Sequence, residues 1–241
     1  MSGYQDVFKR YEQKYRLSAL QHRRLMQALT HHMEPDQYGL HTIGNIYYDT
    51  ADYSLIRHSI EKPLYKEKLR LRSYGIPGPT DGVFLELKKK YDGIVYKRRV
   101  QLPLREAERF VTPGQITGTQ DQILKEIGWF RDRYRPEPKV FIAYERLALK
   151  GLEDPNLRIT FDTDLRHRET LLDLSKGHWG QPLLPAGEVL MELKAAGAMP
   201  LWLSQTLNSL AVYPASFSKY GQCYREHLVH PKHPQGGIHC A

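Results

Sequence analysis

Cysteine is almost absent from this chain: its 241 residues include two, Cys223 and Cys240. Two thiols cannot build a disulfide framework or a cysteine-rich zinc site, so both are expected to be free in a reducing compartment. Long apolar runs are missing as well. No stretch approaches the roughly 18 residues that a membrane-spanning helix needs, and "MSGYQDVFKRYEQ" lacks the apolar core of a secretion signal. A cytoplasmic chain with no membrane span is therefore expected. Glycine-rich phosphate loops are also lacking, since "GIPGPTDG" has no following Lys-Ser/Thr pair or helix. Neither Ser218 nor Cys223 has a recognisable partner for nucleophilic catalysis. No repeat or low-complexity linker divides the chain, so residues 1–229 are read as one domain. The remainder, 230–241 ("HPKHPQGGIHCA"), has no periodicity and is expected to be a disordered tail.

What the chain does have is positive charge: 35 Lys and Arg against 27 Asp and Glu give a formal net charge of +8. An anionic partner follows, but net charge alone does not separate nucleic acid, membrane surface and phosphates. Sixteen tyrosines, fifteen prolines and eighteen glycines suit a strand-rich fold with many turns.

Periodicity places the elements. "DVFKRYEQKYRL" reads as a first strand, and Ser18 as the N-cap of an amphipathic helix ending before Pro35. "HTIGNIYYDT" is a second strand, followed by a short helix capped near Thr50 or Asp52. Strands over 64–74, 83–91 and 94–102 come next, the last two joined by a tight Asp92-Gly93 hairpin. Helices are expected at 104–110 and 119–130. "PKVFIAYERLALKG", "LRITFDTDLRHRE" and "EVLMELKA" supply three or four more strands, and a final helical region over 202–228 breaks near "VYPASFS".

Sorting each strand by its two-residue period gives one apolar and one charged face. The charged face collects Glu12 and Lys14; Lys68, Arg70 and Arg72; Glu86, Lys88 and Lys90; Lys97 and Arg99; Arg146; Arg158 and Asp162; Glu192 and Lys194. The commonest reason for such a pattern is the solvated side of an antiparallel sheet. Against that stands repetition, because cations recur two apart on strand after strand. Like charges directly opposite each other destabilise a sheet, by about 3 kcal/mol per pair at 6 Å and an effective dielectric of 20. A sheet curled so that these faces converge needs a polyanion. A barrel or tunnel lined by Lys, Arg and Glu would hold a chain of phosphates, with Arg forks gripping oxygens and carboxylates holding a divalent ion.

The ordered set "RYEQKY", "YYDT", "KLRLRSY", "FLELKKK", "VYKRRV", "YERLAL", "LRITFDT", "VLMELK" and "SFSKYG" resembles the VTC domain, the polyphosphate polymerase domain of the triphosphate tunnel metalloenzyme superfamily. The resemblance spans roughly residues 4 to 228. It implies an α+β fold, a closed eight-stranded antiparallel β-barrel flanked by helices, and chemistry on triphosphates dependent on Mn²⁺ or Mg²⁺. It further implies that Lys14, Lys68, Arg70, Arg72, Lys88, Lys97, Arg99, Arg146 and Arg158 bind phosphates. Glu192 would be the metal carboxylate, with Glu12 and Glu86 as further candidates, and Lys194 and Lys219 would join Glu192 at the reacting centre. The wider superfamily begins with Glu-x-Glu-x-Lys, where this chain has Arg10, Glu12 and Lys14. That departure counts against a typical triphosphate hydrolase.

The expected activity is transfer of the γ-phosphoryl group of ATP to a polyphosphate chain. Its rivals are a tripolyphosphatase or nucleoside triphosphatase in the same tunnel, and a non-catalytic polyphosphate- or RNA-binding module. Nucleic acid ranks last because carboxylates such as Glu86 and Glu192 among the cations would give an RNA-binding face nothing. The tail residues His230, His233, His239 and Cys240 match no zinc spacing, and the doublet His31 and His32 reads as a helix-end surface feature.

Overall fold

Ser18 starts the first helix as its sequence suggests. Its hydroxyl accepts from the Gln21 backbone N–H while the Gln21 side chain accepts from the Ser18 N–H, a reciprocal capping box. The computed structural model describes residues 11–112, 114 and 121–229, so Arg10, Cys240 and the tail histidines lie outside the described residues. Along the chain run β1 (Tyr11–Leu17), α1 (Ala19–Leu29), β2 (Met33–Asp49), α2 (Ser54–Ile60), β3 (Tyr65–Tyr74), β4 (Gly82–Tyr91) and β5 (Ile94–Pro103). Then come α3 (Leu104–Val111), α4 (Gln122–Tyr134), β6 (Glu137–Gly151), β7 (Arg158–Arg168), β8 (Gln181–Pro182), β9 (Val189–Ala195), α5 (Leu201–Ser209) and α6 (Lys219–Cys223). A π-helical turn, Tyr224–Leu228, continues α6. The β4–β5 hairpin turns at Asp92 and Gly93, both with positive φ, as a two-residue primed turn requires.

All described strands belong to one antiparallel sheet with the order β1-β9-β7-β6-β2-β3-β4-β5, and β8 is added beside β7. The expectation of a closed eight-stranded barrel is corrected in two respects. Among the described residues the sheet has nine strands, and no ladder joins its ends, β1 and β5. The C-terminal segment takes the open edge of β1, where Tyr15 bridges Pro214 and the Ala215 N–H donates to the Lys14 carbonyl at 2.7 Å.

The sheet nevertheless curls. Lys88 on β4 lies within the electrostatic influence of Glu12 and Lys14 on β1 and Glu192 on β9, strands at the opposite end of the order. On the convex side two apolar cores form. Leu69, Leu71, Leu85 and Leu87 pack under α3 and α4 with Phe110, Ile127 and Phe130. Ile159, Phe161, Met191 and Leu193 pack with Leu25 and Leu29 of α1 and Leu203 and Leu207 of α5.

A third core was not foreseen. Part of the concave side is apolar, and the C-terminal residues Phe217, Tyr220, Cys223 and Leu228 fill it against Tyr47, Ile142, Tyr144 and Leu190. Cys223 is a buried free thiol whose pKa burial pushes up.

Two other expectations are adjusted. β2 begins at Met33, well before residue 41, because its first half pairs with β6 across a register shift between Pro35 and Leu40. The short helix begins at Ser54 after Tyr53, which has φ 60° and no side-chain cap bond. The Asp49 carboxylate instead accepts from the Leu55 and Ile56 N–H groups, and the Thr50 hydroxyl accepts from the Ser54 N–H. His32 stacks on Trp202 with ring centroids 3.9 Å apart, so it is a packing residue beyond the end of α1.

Candidate functional site

Antiparallel register turns the alternating cations of β3, β4 and β5 into rows. Lys68 lies opposite Lys88, which lies opposite Lys97; Arg70 lies opposite Glu86, which lies opposite Arg99. One step further along, Arg72 faces Phe84 and Phe84 faces Gln101. The first row contains three ammonium groups and no carboxylate. Burial lowers the pKa of all three, and for Lys68 the neighbouring Lys66, Lys14, Lys88 and Arg70 bring it down further, to about 7. Lys68 donates to the Ser218 hydroxyl at 3.0 Å.

Glu86 organises the second row. Only 2% of its side chain is exposed, and Arg70, Lys97, Arg99 and Arg72 stand 2.6, 3.0, 3.3 and 4.0 Å from it. Burial alone would raise its pKa, but these cations outweigh burial and hold it at about 2. Arg72 is buried and held in place, donating to the Asn45 side-chain oxygen at 2.9 Å and to the Tyr144 hydroxyl at 3.2 Å. Burial pushes the Tyr144 phenol up, yet Arg72, Arg146 and Lys219 bring it down to about 8.

The opposite wall has a different character. Lys14 on β1 pairs in register with Glu192 on β9, and Glu12 with Lys194, so charges of both signs alternate there. Glu192 bonds Lys194 at 2.7 Å and, with Lys14 and Arg146 also near, is held at about 2 despite burial. Next to it Asp162 accepts two bonds from Arg146, at 2.6 and 2.8 Å, and one from Lys219 at 2.5 Å. These cations keep the buried Asp162 carboxyl far below the usual carboxylate range. Lys14 donates to the Phe217 carbonyl at 3.3 Å, and Lys14, Asp162, Glu192, Phe217 and Lys219 line a pocket of about 30 Å³.

The structure thus brings together Lys14, Lys68, Arg70, Arg72, Lys88, Lys97, Arg99, Arg146, Glu86, Glu192 and Lys219. Glu12 and Lys194 stand at the rim beside them. Arg158, opposite Lys194 in register, is half exposed and bonds Asp36 at 3.0 Å. Sequence reasoning placed Asp162 on the charged face but gave it no role, considered Ser218 only as a nucleophile, and passed over Asn45 and Tyr144. Asp162 could have been found from its alternation with Thr160 and Arg158. Asn45 and Tyr144 lie in the most apolar stretches of β2 and β6, where alternation does not mark them as site residues.

Carboxylates suited to a metal are few. Among the described residues no three His, Cys, Asp or Glu side chains converge to hold an ion by themselves. Glu12 and Glu192 are diagonal neighbours across β1 and β9, facing Lys194 and Lys14 respectively, and carboxylate oxygens are the ligand type an Mg²⁺-type ion takes.

No curated protein matches the chain by sequence. Among solved structures, a Hippeastrum protein described as an adenylyl cyclase with a dominant triphosphatase activity is similar in fold. It has 16% identity and a TM-score of 0.52, covering 89% of this chain and 94% of its own. A Vibrio parahaemolyticus protein assigned as an adenylate cyclase is 12% identical at a TM-score of 0.48, covering 88% and 96%. The VTC domain family matches residues 9–227, nearly the whole described chain. This chain belongs to the VTC domain family.

Proposed function

We propose that the protein is a metal-dependent polyphosphate polymerase, which transfers the γ-phosphoryl group of ATP to a polyphosphate chain held in its cationic concavity. The observation that carries this reading is the row Lys68, Lys88 and Lys97, three ammonium groups side by side, of which Lys97 also contacts Glu86 of the next row at 3.0 Å. Folding brings these charges together at a cost, and a chain of phosphates offsets it. Arg70, Arg72 and Arg99 are held in place by Glu86 and Asn45 and need little reorganisation on binding.

The two walls divide the work. The β3–β5 cations bind the phosphate oxygens, and Glu192 and Glu12 on the opposite face would hold a divalent ion. Mn²⁺ or Mg²⁺, when bound, would neutralise charge on the transferring group. Lys14, Lys194, Lys219 and Arg146 surround that face and hold the terminal phosphate in line with its acceptor. Glu86, Asp162 and Glu192 are each paired with cations and held well below the usual carboxylate range, which makes them weak general bases. A water acceptor needs such a base. A phosphate chain end is already ionised near neutral pH and does not, which favours polymer extension.

A triphosphate hydrolase is the second reading, supported by fold similarity to the Hippeastrum protein described with triphosphatase activity. Products separate the two. Purified protein given ATP and Mn²⁺ is expected to accumulate ADP and polyphosphate with little free phosphate, and short polyphosphate primers should stimulate it. Orthophosphate released in step with ADP, with no polymer on a gel, would replace the polymerase by the hydrolase.

A further inference from the structure

From the Arg72–Phe84 row onward the concave face of β2, β3 and β4 turns aromatic. Tyr74 follows Arg72 on β3 and meets Phe84 of β4 edge-on at 5.7 Å, while His41 of β2 lies 5.6 Å from Tyr74 and Tyr38 lies 6.4 Å from His41. Arg99 joins this group. Its guanidinium lies 3.4 Å over the Phe84 ring and 5.7 Å from the Tyr74 centroid, and it donates to the Tyr74 hydroxyl at 3.3 Å. None of the four rings belongs to any of the three apolar cores, and Tyr38 and Tyr74 are 67% and 47% exposed. Packing therefore does not account for them.

The opposite end of the same strands is built differently. There the concave positions are Lys66 and Lys90, which face each other across β3 and β4, and Lys66 donates to the Ser59 carbonyl of α2. One end offers lysines and the other exposed rings with a guanidinium.

We infer that the Tyr38, His41, Tyr74, Phe84 and Arg99 cluster is a stacking subsite for the base of a nucleoside triphosphate whose phosphates lie on the rows toward Lys68. This rests on the triphosphate reading above and adds the side from which the nucleotide enters. Four residues of strand separate Arg70 from Tyr74, roughly 13 Å, comparable with the reach from the phosphates to the base in an extended nucleotide. Rings meeting edge-on or tilted leave faces that no other ring covers, and a guanidinium plane stacks on a base as well as a ring does. None of the five residues carries the paired donor and acceptor that would read a particular base, so purines of either kind should bind and pyrimidines more weakly.

The test is calorimetric titration, without metal, of wild type, Tyr74→Leu and Tyr38→Ala with ATP and with inorganic tripolyphosphate. Tyr38 is so exposed that its loss leaves the fold intact even where Tyr74→Leu does not. Both variants are expected to lose ATP affinity, Tyr74→Leu by about tenfold as for one base–aromatic stack, with tripolyphosphate affinity unchanged within twofold. Equal losses for both ligands, or no loss for ATP while the wild type binds both, would overturn the subsite and leave the triphosphate reading standing. A wild type that binds neither ligand would remove both.

Discussion

Replacing Glu86 by Gln removes one charge from the centre of four cations while keeping the shape of the side chain. The carboxylate is 2% exposed and is held at about 2 where an ordinary Glu titrates near 4.5. That difference corresponds to about 3 kcal/mol of folding stability. The range for removing one partner of a buried ion pair, about 3–5 kcal/mol, agrees. At pH 7 the Glu86→Gln variant should therefore melt about 6–12 °C below the wild type, at 2–4 °C per kcal/mol for a domain of this size. The pH dependence follows from the direction of the shift. A depressed folded-state pKa contributes its full stability above the unfolded value, so the gap is constant above about pH 5. It then shrinks by about 1.4 kcal/mol per pH unit as the pH falls from 4.5 toward 2. The uncompensated cations of the variant should also gain more from an added polyanion, so tripolyphosphate should raise its melting temperature more than that of the wild type. Scanning calorimetry between pH 3 and 8, with and without tripolyphosphate, measures both effects. Equal melting temperatures at pH 7, or a gap as wide at pH 3 as at pH 7, would refute the role of Glu86 as internal counter-ion.

Two further outcomes are expected. Glu192→Gln should abolish turnover with Mn²⁺ while leaving or tightening metal-free tripolyphosphate binding, since it takes a negative charge from beside Lys14, Lys194 and Arg146; wild-type turnover in that variant would remove Glu192 from the metal site. Because the Lys68 ammonium sits at about 7, it loses its charge as the pH rises from 6 to 8.5, so Lys68→Arg should bind tripolyphosphate increasingly better than the wild type over that range, and a constant affinity ratio would count against it.

The parts of the molecule that rest on local chemistry were legible in the sequence. The Ser18 cap, the Asp92-Gly93 turn and the period-two faces of β3, β4 and β5 each depend on residues within a few positions of one another, and each appears where expected. What depends on distant partners was not legible. Met33–Leu40 contains Pro35 and Gly39 and shows no alternation, yet it is strand because β6 pairs with it. Asp49 looked like one end of a strand, but its carboxylate caps α2 and accepts from the Tyr220 hydroxyl at 2.9 Å, tying the C-terminal segment to the concave side. The same segment explains why the charged face is not charged throughout. Ile142, Tyr144 and Leu190 share the concavity with the cations, and residues 217–228 cover them. Closure of the barrel came from resemblance alone, and β1 spends its second edge on Pro214 and Ala215.

The pairing of β1 with β9 also has a consequence for how the chain is made. Among the described residues, β9 is the only strand that pairs with β1, and the Arg16–Glu188 ion pair at that junction joins residues 172 positions apart. At a synthesis rate of about 5–20 residues per second, β1 leaves the ribosome on the order of 10–30 s before its partner exists. Contacts of such long range close late, after the β3–β5 meander and its helices have formed from near neighbours. During that interval β1 is a strand with two free edges, the form most prone to pair with another chain. Its charged positions Glu12, Lys14 and Arg16 alternate with Tyr15 and Leu17, which interrupts any apolar run and keeps the waiting strand in solution. Lys14, held in the finished protein against the Phe217 carbonyl, is one of the charges that break the apolar run while β1 waits for β9.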